Sequence, residues 1–145
     1  MVYLGAPGIG KTYFCAALIP WIYDKVKSYR YWNEREFFSR LRAVIGESRG
    51  DFIQELEYLL DDELVMFDDM GSSVMNDWRC EMLFEAIDKR YRSELPTVFT
   101  SNLTRNQIYT DLGPRIHSRL FSKENLVIEC HEGADLRQKD GNGNP

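Results

Sequence analysis

The chain has 145 residues, of which 43% are hydrophobic and 28% charged, with 18 basic side chains against 23 acidic ones. This is one domain's length of ordinary globular composition, long enough to bury a core, and it excludes a collagen, a disordered chain and a disulfide scaffold. No apolar run approaches the roughly 18 residues that span a bilayer, and the opening MVYLG reads as a strand rather than a secretion signal. The net charge of −5 argues against a broad basic coat for nucleic acid. The charge is uneven: residues 1–32 carry four basic groups and one acidic, whereas residues 33–72 carry four basic and eleven acidic. Any DNA contact is therefore expected to be local. Cys15, Cys80 and Cys130 are far apart and odd in number, which suits reduced thiols in a cytoplasmic protein. His117 and His131 are too scattered for a metal cage.

In chain order, Val2–Leu4 is a short apolar strand ending at Gly5. From Lys11 the pattern is helical, with Phe14, Leu18, Trp21, Ile22 and Val26 on one stripe, and Pro20 is expected to kink or restart that helix. Tyr29–Trp32 reads as a second strand. Phe37, Phe38, Leu41, Val44 and Ile45 recur at helical spacing, Gly46–Gly50 breaks the pattern, and Phe52, Leu56, Leu59 and Leu60 make a further helix. Glu63–Phe67 is a continuous apolar strand ending in Asp68 and Asp69. Met75, Trp78, Met82, Leu83, Ala86 and Ile87 form an amphipathic helix. Thr97–Thr100 is a strand ending at Ser101 and Asn102, two short helical pieces follow at Arg105–Thr110 and Pro114–Leu120, and Leu126–Cys130 is a last strand. Residues 1–138 are expected to form one core, with 139–145 a disordered tail. Apolar strands alternating with helices imply an α/β fold with a parallel sheet covered on both faces.

Gly5-Ala6-Pro7-Gly8-Ile9-Gly10-Lys11-Thr12 matches G-x-x-x-x-G-K-[ST], with a strand before it and a helix after it. The spacing has a chemical reason. Gly8 and Gly10 let the backbone turn its N–H groups inward as an anion nest, and the following helix points its positive end at the phosphates. Ala6, Pro7, Gly8, Ile9, Gly10, Lys11 and Thr12 would thus cradle ATP or ADP. Lys11 bridges the β- and γ-phosphates, and the Thr12 hydroxyl takes Mg²⁺.

Asp68, at the tip of a buried strand, is the expected second Mg²⁺ ligand. Asp69 is the candidate general base for an attacking water. Glu is usual in that role, and Asp reaches one methylene less far. Gly5, Asp68 and Asn102 each end a different strand, so all three point into one crevice at the carboxyl edge of the sheet. Asn102 can orient the water, since an amide offers both donor and acceptor, or it can cap the next helix. Arg115 and Arg119 lie four apart on one helical face. Spacing alone leaves them as surface arginines, whereas an arginine against the γ-phosphate stabilises transition-state charge by about 10³–10⁵ in rate.

GAPGIGKT, VMFDDMG, DWRCEMLFEAIDKRY, PTVFTSN, LGPRIHSRL and GADLRQ, in that order, resemble the DnaC-like helicase-loader ATPases of the AAA+ class and the related IstB-type transposition helpers. The resemblance runs from Val2 to about Gln138. It implies a P-loop NTPase three-layer fold with a five-stranded parallel sheet, order 5-1-4-3-2. The sequence is expected to depart from the family pattern in having little or no C-terminal lid and in lacking the N-terminal segment by which loaders grip the helicase. The resemblance implies that Asn102 is the sensor-1 residue, that Arg119 is the arginine finger with Arg115 one turn before it, and that Arg137 reaches the nucleotide from the C-terminal segment. It further implies weak or assembly-dependent ATP hydrolysis with Mg²⁺ in DNA replication. The implied partners are a replicative helicase or another DNA-bound protein, single-stranded DNA, and further copies of the chain in the ATP state, with no membrane. The two helices between the second and third strands resemble the insertion that lines a single-stranded DNA path. Lys25, Lys27, Tyr29, Arg30, Tyr31 and Trp32 interleave basic and aromatic residues as such paths do, but aromatics are also enriched in ordinary strands. Three alternatives stand beside this: a viral superfamily 3-type helicase core, an IstB-like transposition helper, and a non-catalytic nucleotide-bound inhibitor of a host loader.

Overall fold

The central strands are short apolar runs with no polar face, and such strands are stable only between two layers of helices. The computed structural model describes residues 1–44 and 49–130 and Asp135, with the backbone alone at 49–51. Five strands form one sheet: β1 (Val2–Gly5), β2 (Tyr29–Asn33), β3 (Leu64–Asp68), β4 (Thr97–Ser101) and β5 (Val127–Cys130). Their order is β2-β3-β4-β1-β5 with every neighbouring pair parallel. Counted from the other edge, this is the expected 5-1-4-3-2. The helices are α1 (Lys11–Ile22), α2 (Glu34–Ala43), α3 (Arg49–Leu60), α4 (Asp77–Arg92), α5 (Arg105–Gln107) and α6 (Pro114–Leu120), with one π-helical turn, Ile108–Leu112, after α5. No helix among the described residues is long and apolar enough to cross a membrane.

The period of two along each strand divides the core. Val65 and Phe67 of β3 and Phe99 of β4 join Phe37, Leu41, Leu59, Leu83, Ile108 and Ile116 under α2, α3, α4 and α6. Leu64, Met66 and Val98 face the other way, onto Cys15, Leu18, Ile19 and Ile22 of α1. Helix entries are set by side-chain caps: Asn33 accepts the Glu36 N–H at 2.9 Å, and Asn76 accepts the Arg79 N–H at 2.9 Å.

Several expectations are corrected. Pro20 does not restart the helix, since α1 runs through it to Ile22. The missing proline N–H leaves the Ala16 carbonyl without its helical donor, and Ala16 is an exposed residue. Trp21 is 67% exposed and off the buried stripe, which is Cys15, Leu18, Ile19 and Ile22. The Lys25 ammonium lies 3.2 Å from its ring centroid instead. Arg49 and Gly50, expected in a break, already belong to α3. Ile45 and residues 46–48, His131, Arg137 and the tail 139–145 lie outside the described residues.

The end of the sheet opposite the phosphate loop is pinned by a single buried cation. Arg90, 1% exposed, uses all five guanidinium donors. Its Nη1 reaches the carbonyls of Leu60 (2.5 Å) and Asp62 (2.7 Å), Nη2 those of Glu63 (2.9 Å) and Pro96 (2.6 Å), and Nε the Thr97 hydroxyl (2.9 Å). These acceptors close α3, open β3 and open β4. Burial presses its pKa down to about 10, which still leaves it charged at neutral pH. Arg90→Met removes every donor and leaves these acceptors unsatisfied, so stability should fall by at least about 3 kcal/mol. Arg90→Lys, with three donors on one atom, should lose less. Chemical denaturation followed by fluorescence checks both, and an unchanged midpoint for Arg90→Met would refute the assignment.

Candidate nucleotide site

β1 ends at Gly5, and the chain turns through Gly8 (φ 86°) and Gly10 (φ 93°) before α1 begins at Lys11. These left-handed conformations are open to glycine at little cost. No side chain caps the start of α1, so its first N–H groups face the loop as an anion cradle. A cavity of about 250 Å³ over this loop is lined by Gly8, Gly10, Lys11, Thr12, Tyr13, Asp69 and Asn102. Ala6, Pro7 and Ile9 lie in the same loop.

Lys11 is only 6% exposed, and its ammonium donates to the Gly5 carbonyl at 2.8 Å, the Ala6 carbonyl at 2.9 Å and Asn102 Oδ1 at 2.5 Å. Asn102 in turn donates through Nδ2 to Asp69 Oδ1. Both halves of the amide are thus used, one toward the phosphate-loop lysine and one toward the acidic strand end. Asp69 sits at φ 57°, a strained backbone for a residue with a side chain. Burial first, and the neighbouring Asp68 second, push its carboxyl pKa up against the opposing pull of Lys11.

Asp68 is 2% exposed and sits among hydroxyls. Thr12 Oγ1 donates to Oδ2 at 2.7 Å, the Tyr31 hydroxyl to Oδ2 at 2.5 Å, and Thr100 Oγ1 to Oδ1 at 2.6 Å. Strand register explains the meeting. Phe67 pairs with Phe99, which sets Asp68 beside Thr100, and Tyr31 pairs with Met66 on the same face. That face is the one α1 covers. Tyr31 and Cys15 are both held protonated, chiefly by burial and then by Asp68, with the Cys15 thiol pushed up to about 12. Two adjoining hard oxygens, one hydroxyl and one carboxylate, are a donor set that suits Mg²⁺, which takes few protein ligands and keeps phosphates and waters for the rest. Among the described residues there is no larger cluster of His, Cys, Asp or Glu for a metal.

Tyr31, Thr100 and Glu34 are site residues that the sequence reading missed. Glu34, 4% exposed at the start of α2, accepts from the Ser72 N–H (2.8 Å), the Ser73 hydroxyl and Arg79 Nη1 (3.2 Å), and so holds the loop after Asp69. Thr100 was legible in the T-S-N strand end, but Tyr31 and Glu34 needed the register. Within the interleaved basic and aromatic stretch, Tyr31 donates to Asp68, Trp32 is buried and donates to the Leu59 carbonyl (2.9 Å), and Arg30 pairs with Asp62.

Arg115 and Arg119 are not brought to the loop. Arg119 lines a second cleft, about 730 Å³, together with Met1, Val2 and Thr97. Those three residues mark the amino ends of β1 and β4, whereas Lys11 follows the carboxyl end of β1. Although larger, this cleft lacks a glycine nest and a metal-type oxygen pair, so the smaller cavity is the candidate nucleotide site. Arg137 lies outside the described residues. Asp135, two residues before it, has its carboxylate against Gly8, where a Cβ would collide with it.

The family model for IstB-like ATP-binding proteins matches residues 1–119. The replicative helicase loader DnaI of Bacillus subtilis is 27% identical over 105 residues, 72% of this chain and 33% of that protein. The replicative helicase loader DnaC of Escherichia coli K12 is 23% identical over 127 residues, 88% of this chain and 52% of that protein. The chain thus spans about a third to a half of the curated relatives it matches. A crystal structure of the DnaC helicase loader superposes with a TM-score of 0.74 at 23% identity, over 89% of this chain and 76% of that one, which speaks to the fold. With the sheet order and phosphate loop of an AAA+ P-loop NTPase, and a family match over most of its length, the chain belongs to the IstB-like ATP-binding proteins.

Proposed function

We propose that the chain binds ATP with Mg²⁺, hydrolyses it where copies meet, and uses the cycle to remodel a DNA-bound protein in replication, with a replicative helicase as the partner that its loader relatives suggest. One observation carries this reading. Lys11, Thr12, Asp68, Asp69 and Asn102 form one hydrogen-bonded cluster at the carboxyl edge of the sheet, while Arg119 stands at the opposite end. Three steps of β1 alone separate the two ends by roughly 10 Å, at about 3.3 Å per residue. An arginine so placed serves a nucleotide on a neighbouring copy, not its own.

In this reading the loop N–H groups and Lys11 hold the phosphates. Thr12 and Asp68 hold the metal, whose charge would offset that on the β- and γ-phosphates. Asp69 takes the proton of the attacking water, for which a raised carboxyl pKa is an advantage in a base. Asn102, bonded to both Lys11 and Asp69, keeps that water in line. Arg119 from the neighbour, with Arg115 beside it, meets the charge that develops on the transferred phosphoryl, and Arg137 reaches the same nucleotide from the C-terminal segment. A second reading, an IstB-type helper that assembles on duplex DNA, is favoured by the family match. ATP-dependent filaments on duplex DNA, without helicase association, would select it.

Lys11→Ala removes the cation from the phosphate cradle and should abolish binding of a fluorescent ATP analogue; retained affinity would refute the site. Arg119→Ala should keep that affinity and lose turnover by about 10³-fold or more. Mixed with Lys11→Ala subunits, which still carry Arg119, it should regain turnover, and the parent's specific rate should rise with protein concentration. No regain on mixing would refute catalysis across an interface.

A further inference from the structure

The arginines of α6 are held by a prepared face of α4. Glu81, Phe84 and Asp88 stand at i, i+3 and i+7 of α4, on one side of that helix. Arg115 donates through Nη2 to Glu81 at 2.6 Å, and its guanidinium carbon lies 4.0 Å from the Phe84 ring centroid. Arg119 donates through Nε to Asp88 Oδ1 at 2.9 Å, with its guanidinium carbon 5.5 Å from the same ring. The other Asp88 oxygen takes Nη2 of Arg92 at 2.5 Å.

The two pairs differ in kind. Arg115–Glu81 is solvent-exposed at both partners, and pairs of that sort contribute little. The Asp88 side chain is 7% exposed while Arg119 is 30% exposed. Each oxygen of this buried carboxylate takes one arginine, Oδ2 Arg92 and Oδ1 Arg119, and a buried partner holds Arg119 more firmly than a surface one could. It does so through Nε. Among the described residues, the two terminal nitrogens of Arg119 make no hydrogen bond, and these are the donors that fork onto a phosphate. Arg92 and Arg119 against Asp88 leave the cluster with one net positive charge.

We propose that Asp88 is the positioning residue for Arg119, fixing the stem of the guanidinium so that its free fork is presented to the nucleotide of the adjacent copy, with Phe84 as the surface on which both arginines rest. This rests on the reading of Arg119 given above. It makes α4 part of the neighbour's catalytic site, although no α4 residue lines the phosphate-loop cavity.

The complementing pair provides the test. Lys11→Ala subunits donate Arg119, and Arg119→Ala subunits accept it. Asp88→Asn is added to the donor in one mixture and to the acceptor in another, with the fluorescent-analogue affinity of the Arg119→Ala/Asp88→Asn acceptor confirming an intact fold. On the donor, Asp88→Asn should lower kcat of the mixture at least about tenfold, since a misplacement of about 1 Å can cost about 10²-fold, and on the acceptor it should change kcat by less than about twofold. KM for ATP should hold in both. If the Asn variant does not bind the analogue, Asp88→Glu, which keeps the charge and moves it by one methylene, is carried through the same two mixtures with the same asymmetry expected. Equal loss from either side, or no loss, would overturn the positioning role. Failure of the parent pair to complement needs no change at residue 88, and it would overturn the reading of Arg119 and this inference together.

Discussion

A buried carboxylate must find donors, and Asp68 finds them on three other elements. Thr12 comes from α1, Tyr31 from β2 and Thr100 from β4, all on the face that α1 covers. An acid side chain at 2% exposure is tolerated only when its oxygens are occupied. That requirement couples the phosphate loop to the sheet: α1 cannot shift without removing a hydroxyl from Asp68. The oxygen pair proposed for the metal is therefore pre-set by the same bonds that dock α1.

Arg90 answers the same physics at the other end with the opposite sign. Its five donors meet acceptors from α3, the approach to β3 and the approach to β4. An apolar side chain there would leave peptide carbonyls unmet. Arg90 belongs to α4, which also carries Arg79 toward Glu34 and the loop after Asp69, and Asp88 toward Arg119. One helix thus borders both the chain's own candidate nucleotide site and the arginine proposed to serve a neighbour's.

Much of the architecture was legible beforehand because its signals are local or periodic. The phosphate loop is eight consecutive residues, and ELVMF admits no exposed face, so β3 had to be central. The helix start at Lys11 follows from two glycines at positive φ. Pro20 misled in part, because a proline does not always end a helix: α1 runs through it to Ile22, which the sequence alone does not say. Trp21 misled for a related reason: hydrophobic spacing cannot tell a core residue from its exposed neighbour one position away.

The residues around Asp68 and Arg119 mark the boundary between the two kinds of information. Chain order and residue type were enough to put Lys11, Thr12, Asp68 and Asn102 at strand and helix ends facing one crevice, since parallel strands all end on the same edge. They were not enough to place Tyr31, which reaches Asp68 only through the β2–β3 register, or Glu34, which depends on how α2 leaves β2. Nor could four-residue spacing say whether Arg115 and Arg119 face their own nucleotide. That distance runs along the strands, from one end of the sheet to the other, between elements far apart in the chain, and only tertiary packing sets it.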